Sequence, residues 1–188
     1  MPNDASPAIA EPGFGQFWFR ATTCHMVSYF VAGVLAYTLM DYKGLFQTAG
    51  LSQLMRPMDS PWIAAGPALQ VFRGLVLAAV LYPFRRVLLD EPKGWLKLFA
   101  LVVGLSVLSP SGPAPGSLEG LLYTKLTLMQ HLRGLPEVLL QNLMFAWALV
   151  AWSRRPRRAW NMGMSVMTAL VIGMSVLGAL APRPENFR

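Results

Sequence analysis

The sequence predicts an all-α, polytopic integral membrane bundle of about five transmembrane helices, with interfacial helices in the connections on one side. Three observations predict it. Of the 188 residues, 54% are hydrophobic and only 13% charged, with a mean hydropathy of +0.43, about half the charge of a typical soluble domain. Apolar stretches recur with lengths near the ~20 residues that a bilayer-crossing helix needs. The cations gather in short clusters between those stretches instead of lining one face of a soluble domain, which argues against nucleic acid as a partner. This composition excludes a disordered or collagen-like chain and most water-soluble enzymes. Cys24 is the single cysteine, so an internal disulfide is excluded as well.

Residues 1–20 read as a cytoplasmic and interfacial segment. They are polar and contain Pro2, Pro7, Pro12, Gly13 and Gly15, and no basic stretch leads into an apolar core as in a cleavable signal peptide. Phe14, Phe17, Trp18 and Phe19, just before Arg20, read as an anchor at the membrane surface. The bundle itself is expected over residues 21–181, with spans at about 21–40, 62–84, 94–109, 136–152 and 160–181, followed by a short tail over 182–188. Ser60-Pro61 opens the second span with a cap and a first-turn proline. Gly134-Leu135-Pro136-Glu137 opens the fourth in the same manner, Glu137 being well placed against the helix dipole. Trp62, Tyr82, Trp95, Trp152 and Trp160 fall at span ends, where amphipathic rings suit the headgroup region.

Two connections are long. Residues 41–61 carry Tyr42, Leu45, Phe46, Leu51, Leu54 and Met55, the pattern of an interfacial helix. Residues 110–135 are entered through Ser109-Pro110-Ser111-Gly112-Pro113-Ala114-Pro115-Gly116, which cannot be helical. From Ser117 to Leu132 the leucines predict a helix lying on, or dipping into, the membrane surface. No internal repeat is present, so the inverted-repeat plan of many transporters is not supported.

Orientation follows from the cations. Arg20, Arg85, Arg86, Lys93, Lys97, Arg154, Arg155, Arg157 and Arg158 fall on one side, while Lys43, Arg56, Lys125, Arg133, Arg183 and Arg188 fall on the other. Tight basic loops stay in the cytoplasm. The expected topology therefore has the amino terminus inside and the carboxyl terminus outside, compatible with a bacterial cytoplasmic membrane.

Helices in lipid associate through small residues. The first span offers Ser28, Ala32 and Ala36, and the last offers Ser165, Ala169 and Gly173, then Gly178; Gly74 with Ala78 and Ala100 with Gly104 complete the set. Internal packing is the plainer use of these stripes, and a dimer or partner-protein face is the sharper one. Met162, Met164, Met167 and Met174 read as packing or lipid-facing residues.

Arg73 stands out, eleven residues from Trp62 and eleven from Phe84 and so near mid-membrane. An arginine there costs about 2.5–3.5 kcal/mol on the insertion scale and calls for a partner. Gln70 lies one turn earlier, Glu137 and Gln141 lie one turn apart in the fourth span, and Asp41 ends the first. The expected polar cluster is Arg73, Gln70, Glu137 and Gln141, with Glu119 and Tyr123 as lids. Its plain reading is an Arg73–Glu137 pair that holds the bundle together; its functional reading is a ligand, lipid or proton site.

No metal or other cofactor is expected. Cys24 and His25 are adjacent and diverge by about 100° on a helix, a poor chelate, and His131 falls on the opposite side of the membrane from His25. Asp90-Glu91 reads as a solvated turn, and no phosphate loop, zinc motif or nucleophile elbow occurs. The leading expectation is thus a non-enzymatic structural, accessory or regulatory component of a membrane assembly. The alternative is a small transporter or channel-like protein recognising an anionic ligand or lipid through Arg73, and an enzyme using Glu119 or Glu137 comes third.

Overall fold

Helix length and apolar content set the frame. The computed structural model describes residues 13–48, 50–108 and 112–181. The start of the amino-terminal segment, the Ser109-Pro110-Ser111 entry to the long connection and the tail over 182–188 lie outside the described residues. The described residues contain no strand, and 82% of them are helical. In chain order the helices are α1 (Phe14–Leu39), α2 (Tyr42–Phe46), α3 (Leu51–Leu54), α4 (Pro61–Leu81), α5 (Arg85–Leu89), α6 (Gly94–Val103), α7 (Leu118–Tyr123), α8 (Leu128–Arg154) and α9 (Arg158–Leu180).

Among the described residues, four helices are long and apolar enough to cross a membrane: α1, α4 with its continuation to Leu89, α8 and α9. At 1.5 Å per residue, the 26 residues of α1 and the 27 of α8 extend about 40 Å, beyond the ~30 Å hydrocarbon layer. The expected third span is shorter. Ten α-helical residues of α6 pass into a π turn at Gly104–Leu108, and the combined Gly94–Leu108 stays below the length of the other four.

Two expected boundaries also move. The anchor before Arg20 is continuous with α1, which starts at Phe14. The helix of the expected fourth span starts at Leu128, not at Pro136, because Thr127 and Gln130 form a capping box. Gln130 N–H donates to Thr127 Oγ1 at 3.3 Å, and Thr127 N–H donates to Gln130 Oε1 at 2.8 Å. That satisfies two donors the helix start would leave bare. Pro136 then sits inside α8, as Pro67 sits inside α4. The single surface helix expected over 117–132 is accordingly split, its first part being α7 and its last part the opening turns of α8.

α1 runs antiparallel to both α4 and α8. Near its start α1 meets the end of α4, where the rings of Phe17 and Tyr82 lie 5.6 Å apart, and His25 meets Gln70 further along. Along α8, Phe19 packs on Trp152, His25 on Phe145 and Gly33 on Glu137. α1 packs against α4, α8 and α9, while α6 packs on α8. The alternation brings Arg85, Lys97 and Arg154 to one end, as the cation count predicts. Arg154 ties that end together: its Nε donates to the Leu89 carbonyl at 2.6 Å and its Nη1 to the Pro92 carbonyl at 3.3 Å, with Nη2 on the Glu91 carbonyl. Arg20 lies over the Trp152 ring, whose Nε1–H donates to Asn161 at 2.7 Å.

The main buried core occupies this basic end and the middle of the bundle, with Phe17, Leu98, Phe145, Leu149 and Trp152 almost fully enclosed. Ser28, Ala32 and Ala36 of α1 are buried, as are Gly74 and Ala78 of α4. Ser165, Ala169 and Gly173 of α9 are instead exposed, and Val171 and Ser175 face inward in their place.

Among the glycines of the long helices, Gly74 makes the closest contact: a Cβ there would lie 2.6 Å from Thr22 Cα. Backbone cannot retreat as a flexible side chain can. Gly74→Leu is therefore expected to lower stability by at least ~1–3 kcal/mol through overpacking, read as a lower melting temperature in detergent, while Gly173→Leu on the exposed face leaves it within about 0.5 kcal/mol.

Candidate functional site

One face of α1 organises the polar groups of the bundle. His25, Tyr29 and Gly33 follow at intervals of four, so they stack along one side of the helix. His25 is 3% exposed; its Nε2–H donates to Gln70 Oε1 at 3.0 Å, and its ring stands edge-on to Phe145 at 5.6 Å. The Gln70 amide in turn donates to the Gly66 carbonyl at 3.4 Å. One turn on, the Tyr29 hydroxyl lies against Gly66, 3.6 Å from where a Cβ would stand. At the next turn Gly33 leaves room for the Glu137 carboxylate, whose Oε1 would be 3.7 Å from a Cβ there.

Glu137 is half-buried and accepts a hydrogen bond from the Tyr42 hydroxyl. The chain delivers Tyr42 by a sharp reversal after α1. Asp41 takes the left-handed conformation with φ 43°, and its carboxylate accepts the Gly44 N–H at 3.2 Å, capping α2. Burial, followed by the bond to Glu137, raises the pKa of the Tyr42 phenol from its ordinary value, so the hydroxyl stays a donor.

A cavity of about 510 Å³ lies beside this pair, between the later turns of α1, the α2–α3 segment, the start of α4, the π turn and the start of α8. The loops around it are tied to α8. Gln130 donates to Thr48 at 3.0 Å. The His131 Nδ1 accepts the Gly116 N–H at 2.9 Å, leaving its Nε2–H to face Thr124 Oγ1 at 3.3 Å.

The structure does not assemble the expected cluster as one unit. Gln70 pairs with His25. Glu137 pairs with Tyr42 and lines the cavity. Arg73 is exposed on α4, within electrostatic range of His25 and Tyr29, and makes no hydrogen bond or ion pair among the described residues. Gln141 is half-buried and bonds neither Arg73 nor Glu137. Glu119 is half-buried on α7 and Tyr123 is 75% exposed; neither lines the cavity. His25, Tyr29 and Tyr42 are the residues that sequence reasoning missed. The four-residue spacing of His25, Tyr29 and Gly33 was the available signal, and Asp41-x-x-Gly44 was the signal for the reversal that delivers Tyr42.

Among the described residues no group of three or more His, Cys, Asp or Glu is placed to hold a metal ion. Comparison with protein-family models, curated proteins and solved structures gives no match. Fold and site together define the class: an all-helical bundle with four membrane-length apolar helices, packed at a basic end and hollow at the other.

The raised Tyr42 pKa makes a pH prediction. In the folded chain the phenol holds its proton above the ordinary value of 10.0, whereas the unfolded chain releases it there. The folded state then binds more protons, so stability falls as pH rises beyond about 10. Tyr42→Phe should remove part of that alkaline fall and cost about 1 kcal/mol at neutral pH for the lost bond; thermal denaturation of both proteins from pH 7 to 11 checks both effects.

Proposed function

We propose that the chain is a small multi-spanning integral membrane protein that works without catalysis, as a structural or accessory component of a membrane assembly. In this reading α1, α4, α8 and α9 cross the bilayer and the short α6 with its π turn is a fifth membrane element. The basic end lies in the cytoplasm and the hollow end outside, as in a bacterial cytoplasmic membrane.

One observation carries the reading: Arg73 is an exposed cation about halfway along an apolar helix, with no ion-pair partner among the described residues. Its neighbours on α4 are lipid-compatible, Phe72 being 69% exposed and Val76 61%. An arginine at the bilayer centre costs about 2.5–3.5 kcal/mol on the insertion scale, and no ion pair among the described residues offsets it. A carboxylate on a helix of another membrane protein offsets it directly, in a medium where a charge pair is strong. Arg73 does not line the cavity, so the observation favours a partner helix over an enclosed anionic ligand. The exposed Ser165, Ala169 and Gly173 line of α9 is a second surface on which a helix can approach closely.

The test is extraction in mild detergent with a photoreactive residue at Phe72 or Val76. The native chain should cross-link to a membrane protein that co-purifies with it. Arg73→Leu should lose that partner at least tenfold while inserting at undiminished or higher yield. Co-purification that is indifferent to Arg73→Leu, or a chain that runs alone with no cross-link, overturns the reading.

A further inference from the structure

The cavity beside Glu137 has a chemistry that the Arg73 surface does not use. Its volume of about 510 Å³ falls within the ~300–1,000 Å³ range of small-molecule sites. The single acidic side chain among its described lining residues is Glu137, and no Lys or Arg joins it there. The carboxylate has a hydroxyl partner in Tyr42 but no ion pair among the described residues. A carboxylate in such surroundings favours a bound cation.

The rest of the wall decides which cation. Tyr29, Phe30, Tyr37, Tyr42 and Phe46 all contribute to it, and aromatic faces attract organic cations through their ring quadrupoles. One carboxylate among aromatic and aliphatic groups supplies too few oxygen ligands for calcium or magnesium, which take six or more. An alkylated ammonium needs no such shell: its charge is diffuse, and its carbon substituents suit Leu45, Met55 and Val138, which line the same space. Ser106, whose hydroxyl is buried without a hydrogen-bond partner among the described residues, adds a polar point to the lining. An anion would face Glu137 with no Lys or Arg beside it among the described lining residues.

We propose that this cavity binds an alkylated organic ammonium ion, its charge against Glu137 and its substituents between the tyrosine and phenylalanine rings. The proposal stands independently of the Arg73 surface, which lies outside the cavity wall. The ammonium group can belong to a lipid headgroup or to a free amine.

The test uses the full chain purified in a maltoside detergent, which carries no ammonium group. Isothermal titration compares decyltrimethylammonium with its neutral isostere, in which carbon replaces nitrogen. The native protein should bind the ammonium saturably and at least tenfold more tightly than the isostere. Glu137→Gln should reduce the ammonium affinity at least tenfold and leave the isostere unchanged. Should that variant fail to fold, Tyr37→Leu serves in its place: Tyr37 is 56% exposed, so its loss spares the core and should weaken the ammonium alone, by three- to tenfold. Glu119→Gln, outside the wall, should change nothing.

Repeating the titration in nanodiscs separates the sources. Binding suppressed by phosphatidylcholine but retained in phosphatidylglycerol identifies a lipid headgroup, and binding retained in both identifies a free amine. Equal affinity for isostere and ammonium, full affinity in Glu137→Gln, or no saturable binding by the folded native protein overturns the proposal. A failed Arg73 test with intact ammonium binding would strike only the assembly reading, and the reverse result only this one.

Discussion

The close approach of α1 to α4 governs the rest of the molecule. Gly74 lets the backbone of α4 come against Thr22, and with that distance set, side chains one and two turns away must be matched to a narrow gap. His25 and Gln70 fill it with a hydrogen bond, and Tyr29 lies against the bare backbone of Gly66. Such contacts of shape and hydrogen bonding are the kind by which helices associate in lipid, where no hydrophobic drive brings them together. A helix held this way can also carry polar groups through the bundle, because each finds its partner on the neighbouring helix.

The two ends of the bundle solve the packing problem differently. At the basic end, large rings from α1, α6 and α8 fill the space, and Arg154 caps three backbone carbonyls with one guanidinium. That is an economical use of a planar fork of donors. At the other end the contributions from α1 and α8 include Gly33 and Gly134, and short helices are laid across the opening. The capping box of α8, together with Gln130 and His131, fastens those segments by side-chain hydrogen bonds, with only Leu45, Leu51 and Leu126 forming a small apolar cluster there. A hollow fastened at its rim is what remains.

Much of this was legible in the sequence, for identifiable reasons. Apolar runs and basic clusters report directly on bilayer-length helices and their alternation, since each depends on local composition alone. The buried stripe Ser28, Ala32 and Ala36 was legible for the same reason. The start of α8 was misread because two local signals competed. Gly134 and Pro136 look like a helix boundary, but the capping box at Thr127 acts first, and an established helix tolerates an internal proline when its neighbours support it. The similar stripe on α9 faces outward because Val171 and Ser175, on another side of the helix, meet α4 and α1. Which face of a helix meets its neighbour is a tertiary fact that a small-residue spacing does not encode.

The fate of Arg73 and Glu137 follows from rotation rather than from distance along the chain. Gln70 and Gly74 both turn toward α1, fixing the inward face of α4. Arg73, three residues past Gln70, stands about 60° from it and about 100° from Gly74 around the helix, on the flank of the packed face. It remains near enough to sense His25 and Tyr29, yet its guanidinium belongs to the outer surface. Glu137 is turned the other way by α8, toward Gly33 and Tyr42. Two opposite charges that look like natural partners in sequence are thus directed apart, one to the rim of the bundle and one to its hollow. If either were a mere structural pair for the other, a rotation of α4 by less than one residue's turn would have sufficed to bring Arg73 inward. The Gly74 contact forbids that rotation, so the same close approach that holds the bundle together leaves each charge available to something other than its counterpart.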